Sequence, residues 1–310
     1  MTKHKKKFSK GGPLRFILLG VAGLGLVVAM LLQGVDVILF NPKGMIAGEQ
    51  RKLMVTSTLI MLGFAVPVLT ALYFFAWKYR ETNQKATHNP NASRGKWPML
   101  AFWAMPTAIM LILASIMIPA TFKLEPQDSI KSDKAPLTIQ VVAMRWKWLF
   151  IYPEQNIATV NYVQLPKDTP VKFELTADET PMSSFWIPHL GGQLYAMTEH
   201  VNQLNLLPDT LGDFEGSAAE INGAGFAGMR FTTRVSTEDD FKEWAAALQG
   251  SNLELNTSEY KRLLEPTENH PATTYKNPDP KIYSTILSKY AGSHQHNTGQ
   301  SEHTEHEGRH

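Results

Sequence analysis

The sequence predicts a helical transmembrane hairpin preceded by an N-terminal hydrophobic anchor or signal. An all-β Greek-key sandwich follows, with a short helical extension at its C-terminal end. Three observations carry this reading. Residues 16–35, 53–77 and 97–122 contain no charged side chain, and each run reaches the ~20 residues needed to cross a hydrocarbon core. From residue 136 the pattern changes to strand-length apolar or alternating runs separated by turn residues. Past residue 236 the periodicity turns helical in short segments.

Residues 1–35 combine Lys3, Lys5, Lys6, Lys7, Lys10 and Arg15 with an apolar run. A basic start and an apolar stretch fit a signal peptide, yet the run is long for one and no A-x-A site follows, so anchor and cleaved signal stand as equal alternatives. Residues 36–52, with Asn41-Pro42-Lys43-Gly44, form a polar connector. The hairpin occupies 53–122. Its first helix contains Pro67, tolerable where a neighbouring helix or a hydroxyl such as that of Thr70 serves the freed backbone, and ends in Tyr73, Trp77 and Tyr79 beside Lys78 and Arg80, an aromatic belt with basic anchors. The loop 78–96 carries Lys78, Arg80, Lys85, Arg94 and Lys96. Trp97-Pro98 opens the second helix, where a proline costs no hydrogen bond. Positive charge on the N-terminus and on this loop places both in the cytoplasm. The connector and everything beyond residue 122 are then exported.

A polar linker covers 123–135 and the sandwich 136–249. Strands are expected over 137–143, 158–163, 171–176 and 229–235, with turns at Pro166-Lys167-Asp168 and Ala177-Asp178-Glu179. Trp146, Trp148, Phe150 and Tyr152 stand two apart, hence on one face of an extended strand. Ser236-Thr237-Glu238-Asp239 caps a helix over 241–248. Residues 250–290 hold two more amphipathic helices, 256–264 and 280–290. Residues 291–310 have no apolar side chain beyond Ala291 and read as a disordered tail; its His294, His296, His303, His306 and His310 are expected to be solvated without a specific ligand.

Composition removes several function classes. A formal net charge of +2 argues against a nucleic-acid partner, and the absence of cysteine excludes disulfides, zinc ribbons and iron–sulfur clusters. Gly223-x-Gly225-x-x-Gly228 matches the spelling of a dinucleotide-binding turn. It is followed by a β-branched stretch where such a turn needs a helix, so the match is set aside. His189 and His200 do not stand at metal-ligand spacing from another histidine.

The segment Ser217-Ala218-Ala219-Glu220-Ile221-Asn222-Gly223-Ala224-Gly225-Phe226-Ala227-Gly228-Met229 resembles the copper loop C-x-E-x-C-x-x-x-H-x-x-M of subunit II of heme-copper terminal oxidases. Glu220 and Met229 keep register; Ala218 and Asn222 fall on the cysteine positions and Phe226 on the histidine. The second histidine position falls on Ser183, before the Trp186-Ile187-Pro188 turn. A copper framework without copper ligands is similar to the quinol-oxidising branch, the bo-type ubiquinol oxidases, and the resemblance extends from Asn41-Pro42-Lys43-Gly44 to about Tyr290.

The resemblance implies a cupredoxin-like sandwich and membership of a proton-translocating quinol oxidase in the aerobic respiratory chain, in a bacterial inner membrane. It implies no catalytic residue, cofactor or metal in this chain. Heme and copper, and most of the handling of quinol, belong to the partner subunit I, with no role for cytochrome c. A family glutamate at a proton-uptake mouth falls on Met99, so that role is not carried over. In copper-bearing relatives an aromatic run such as Trp146–Tyr152 lies between copper and cytochrome c; in this chain it is expected to pack the sandwich onto its partner. The alternatives are a cytochrome c oxidase subunit II with a remodelled copper site and an exported cupredoxin-like scaffolding protein.

Overall fold

In the computed structural model, residues 23, 27, 37–84, 95–180 and 182–291 are described. The expectations for residues 1–35, for most of the loop 78–96 and for the histidine-rich tail fall outside them. The chain divides into two units: one contains Leu53–Ala120, the other Asn41–Lys52 together with the chain from Thr121 onward.

The first unit is built on two apolar helices, α1 (Met45–Lys78) and α2 (Lys96–Lys123), both long and apolar enough to cross a membrane. Ser57 Oγ lies 3.9 Å from Met117 Sδ, joining the two helices. Thr70 Oγ1 donates to the Val66 carbonyl at 2.7 Å. The carbonyl that Pro67 leaves without a donor is that of Gly63, four residues back, so Thr70 does not serve the freed group.

The α1 helix has 34 residues, about 51 Å at ~1.5 Å per residue, well beyond a ~30 Å hydrocarbon core. Its first turns belong to the other unit, and the connector expected over 36–52 is helical from Met45. The reason is backbone hydrogen bonding. Lys43 N donates to His189 O at 2.8 Å, Met45 N to Leu207 O at 3.0 Å, Ala47 N to Leu190 O at 3.1 Å, and Asp209 N to Lys43 O at 3.2 Å. A Cβ at Gly44 would come within 3.0 Å of Leu207 O, so this crossing requires glycine.

The second unit is a two-sheet sandwich. Its strands are β1 (Leu137–Met144), β2 (Lys147–Tyr152), β3 (Ile157–Val160), β4 (Tyr162–Pro166), β5 (Val171–Ala177), β6 (Ser183–Trp186), β7 (Leu194–Ala196), β8 (Asn202–Leu206), β9 (Gly212–Ala218), β10 (Arg230–Ser236) and β11 (Thr273–Lys276). One sheet runs β11-β3-β2-β1-β5-β8 and the other β4-β10-β9-β6-β7. Helices α3 (Glu238–Gln249), α4 (Thr257–Leu264) and α5 (Lys281–Ala291) follow. Thr237 and Asn256 cap α3 and α4 by accepting from Asp240 N and Glu259 N. The fold class is the expected one.

Two sequence readings are corrected. The single strand expected over 158–163 is two, because Asn161 adopts φ of 54° and carries the chain from the six-stranded into the five-stranded sheet. Its side chain fixes the switch: Asn161 Oδ1 accepts from Trp148 N at 2.9 Å, and Nδ2 donates to His270 O at 2.8 Å. The second correction concerns the aromatic run. Trp148, Phe150 and Tyr152 are fully buried in the sandwich interior, not presented to a partner, and half-buried Trp146 packs at the same cluster. Phe185 sits at its centre, with ring centroids 5.2 Å from Trp148, 5.3 Å from Phe173 and 5.1 Å from Phe231.

Every residue of β2 is buried because the six-stranded sheet is a middle layer. Its second face, through Val142, Met144, Leu149, Ile151 and Val160, packs on Leu255, Tyr260, Leu263, Tyr275, Ile282, Tyr283 and Ile286 of the C-terminal segment. A sheet covered on both faces reads as continuous apolar sequence without alternation.

Candidate functional site

The loop between β9 and β10 is closed at its neck, where Ala218 N donates to Met229 O at 3.0 Å, and tied to β6 by Ala219 N to Ser184 O at 3.0 Å. It contains only a short 3-10 turn, Phe226–Gly228. Its glycines are there for packing. A Cβ at Gly223, which has φ of 133°, would stand 3.0 Å from the Trp146 indole; at Gly225 it would stand 2.5 Å from that ring, and at Gly228 2.3 Å from Asn269 Oδ1. No helix opens after them, so they cradle an indole and an amide instead of a pyrophosphate.

Side chains that the sequence places at ligand positions meet at this loop. Asn222 Nδ2 donates to Ser183 Oγ at 2.8 Å and to Met229 Sδ at 3.1 Å. The opposite amide orientation would set a carbonyl oxygen against the thioether, two acceptors face to face, which fixes the assignment. Ser183 and Met229 are fully buried and Ala218 nearly so, while Phe226 is half-buried against the aromatic core. Glu220 points elsewhere: exposed, it accepts a hydrogen bond from Tyr195, which raises the pKa of that phenol. Neither His189 nor His200 joins the cluster.

This donor set does not fit copper. Soft thiolates and imidazoles hold copper, whereas a methyl, a phenyl ring, a hydroxyl and an amide N–H surround one thioether whose lone pair already accepts a hydrogen bond. Among the described residues no three His, Cys, Asp or Glu side chains gather as a metal site.

A second constellation links the sandwich to the C-terminal helices, in the segment 250–290 that the sequence marks as an aromatic-rich extension. Lys147, only 1% exposed, donates from Nζ to Leu263 O and Glu265 O, both at 2.8 Å, and to Thr267 Oγ1 at 3.1 Å. It caps the C-terminal end of α4, where carbonyls lack intrahelical donors and the helix dipole favours a cation. Burial lowers its pKa, opposed by the charge of Glu265. Asp178, 2% exposed, accepts from Tyr260 at 2.6 Å, Tyr290 at 2.7 Å and Lys289 at 2.8 Å. Tyr283 donates to Glu174 O at 3.0 Å and Tyr275 to Glu259 at 3.0 Å. Burial first and the Glu259 hydrogen bond second push the Tyr275 phenol up to about 12. Tyrosines spaced through 250–290 were the one available signal.

That segment matches the family model described as COX Aromatic Rich Motif over residues 249–294. Across most of its length the chain is similar to the cytochrome bo(3) ubiquinol oxidase subunit 2 of Pseudomonas aeruginosa: 41% identical over 285 residues, which is 92% of this chain and 85% of that protein. The chain belongs to the quinol oxidase subunit 2 family. Ubiquinol oxidase subunit 2 of Acetobacter aceti, another member, is 37% identical over 268 residues, 86% of this chain and 87% of that protein. A solved structure, the periplasmic domain of subunit II of cytochrome oxidase from Bradyrhizobium japonicum, shares 20% identity over 39% of this chain and 96% of its own, with a TM-score of 0.36. In this quinol oxidase subunit 2 the aromatic-rich motif is the outer layer of the sandwich: Tyr260, Tyr275 and Tyr283 bury their rings under the six-stranded sheet, and their hydroxyls are fixed on Asp178, Glu259 and the Glu174 carbonyl.

Proposed function

We propose that this chain is a subunit of a proton-translocating quinol oxidase that carries no redox centre and no catalytic residue of its own. The exported sandwich caps the heme-bearing subunit I, and α1 and α2 clamp it within a bacterial inner membrane. Electrons pass from quinol to that partner without a copper relay in this domain, and oxygen reduction and proton translocation take place there. The observation that carries this reading is the Asn222 amide, which bridges Ser183 and Met229 where the resembled copper loop needs thiolate and imidazole.

The mechanistic contribution follows from what a relay requires. An electron-entry site needs a centre that changes oxidation state, and the side chains of this cluster offer neither thiolate nor imidazole to hold a copper one; their hydrogen bonds close the loop as a packed structural element. The orientation proposed rests on the basic N-terminus and the basic loop 78–96. The discriminating experiment is steady-state oxidation by the purified complex. Reduced quinol is expected to sustain oxygen consumption and reduced cytochrome c to give none; oxidation of cytochrome c at a comparable rate overturns the reading.

A further inference from the structure

The two apolar helices end together. Ser57 Oγ on α1 lies 3.9 Å from Met117 Sδ on α2; Lys78 stands 21 residues beyond Ser57, and Lys96 stands 21 residues before Met117. At ~1.5 Å per residue each end is about 32 Å from that contact, so both stand at one level, one hydrocarbon thickness away. This level carries unpaired cations. Among the described residues Lys78, Arg80 and Lys96 are exposed and form no ion pair, whereas Lys52 and Lys123, towards the opposite ends of the same helices, share Glu49. In sequence the loop 78–96 adds Lys85 and Arg94 against one carboxylate, Glu81. Arg80 is already oriented: Nε donates to Thr82 Oγ1 at 3.1 Å, Nη1 donates to Trp77 O at 3.0 Å, and the guanidinium carbon lies 5.0 Å from the centre of the Trp77 ring. Lys78 Nζ stands 5.7 Å from the ring centres of both Phe74 and Tyr79. Exposed rings flank these cations on both helices, Tyr73, Phe74 and Trp77 on α1 and Trp97, Phe102 and Trp103 on α2.

Cations without carboxylate partners, set among rings suited to the boundary between headgroups and acyl chains, select an anion that carries its own acyl chains. We propose that this end of the hairpin binds anionic phospholipid, with the phosphate against Lys78, Arg80 and Lys96 and the upper acyl chains against the rings. A free phosphate would meet the same cations and leave the rings uncovered. A zwitterionic phospholipid would cover the rings and bring no net charge. Placement in the cytoplasmic leaflet rests on the orientation proposed above; the preference for anionic lipid does not.

The test places the purified complex in phosphatidylcholine vesicles with a trace of photoactivatable phosphatidylglycerol, or of the matching phosphatidylcholine, and maps the adducts by mass spectrometry. The phosphatidylglycerol probe is expected to label peptides holding residues 73–80 and 96–103 severalfold more than the phosphatidylcholine probe. That excess is expected to fall severalfold in the triple variant K78Q/R80Q/K96Q, and in the unaltered complex when salt rises to about 1 M, where the screening length is roughly 3 Å. Lys52→Gln is expected to leave it unchanged. Equal labelling by the two probes, labelling of these peptides by neither, an excess that survives both the triple variant and high salt, or displacement by inorganic phosphate overturns the proposal. Sidedness is read separately: this chain has no cysteine, so Ala86→Cys accepts a membrane-impermeant maleimide only from the side that the loop faces. Reaction in intact spheroplasts would overturn the orientation, whereas the lipid preference stands or falls on the photolabelling.

Discussion

Asn222 holds two neighbours with one amide, and its removal has a defined cost. Asn222→Ala takes the donor from Ser183 and Met229, and at about 1 kcal/mol per ordinary hydrogen bond the exported unit should lose about 1–2 kcal/mol with quinol turnover unchanged, as read by thermal unfolding and oxygen uptake. Lys147 carries more, because its buried ammonium serves three acceptors. Lys147→Met should cost about 2–3 kcal/mol, measured as a lower denaturation midpoint at unchanged slope. His270 makes stability depend on pH. Chiefly burial, and in lesser part the charges of Lys147 and Arg262, hold its pKa below the ordinary imidazole value, against the opposing hydrogen bond to Pro271 O. The folded protein therefore binds this proton less readily than the unfolded chain. The contribution is fully present above the ordinary imidazole pKa and is lost as pH falls through the lowered one. Denaturation midpoints should drop as pH falls below the ordinary imidazole pKa, and His270→Asn should flatten that part of the profile.

At the scale of elements, the aromatic-rich segment behaves as a layer. It buries Leu255, Tyr260, Leu263, Tyr275, Ile282, Tyr283 and Ile286 against the six-stranded sheet, and at roughly 1.5–3 kcal/mol per buried large side chain this is comparable with the ~5–15 kcal/mol net stability of an ordinary domain. Deleting residues 250–291 should therefore leave a sandwich that does not fold; the readouts are loss of soluble expression and failure of the complex to assemble. This dependence was only half legible in sequence. Trp148, Phe150 and Tyr152 announce one buried face of β2, and Leu149 and Ile151 announce a second. What covers the second face lies more than 100 residues downstream, beyond the reach of any periodicity. The helices at 256–264 and 280–290 were legible from their apolar stripes, whereas β11 between them is four residues long and takes its strand partner, β3, from far upstream. Asn161 was misread because αL geometry at a non-glycine residue leaves no mark in an apolar run.

For the molecule as a whole, the helices and the all-β pattern were readable because charge-free runs and period-two alternation are local properties. The stitching of 41–47 onto loops 187–191 and 207–209 was not, since it consists of main-chain hydrogen bonds that any sequence can make. The ligand-position cluster was legible in identity but not in chemistry: the resemblance marks Ser183, Ala218, Asn222 and Phe226 as the positions to inspect, and only the fold reveals that Asn222 joins Ser183 to Met229 while Ala218 and Phe226 join the core. The central claim, that this domain relays no electrons through copper, is tested most directly by copper content. The purified full chain, incubated with copper and dialysed, should retain far less than stoichiometric metal and show no near-infrared absorption. Stoichiometric copper that is reduced by a soluble heme protein would contradict it.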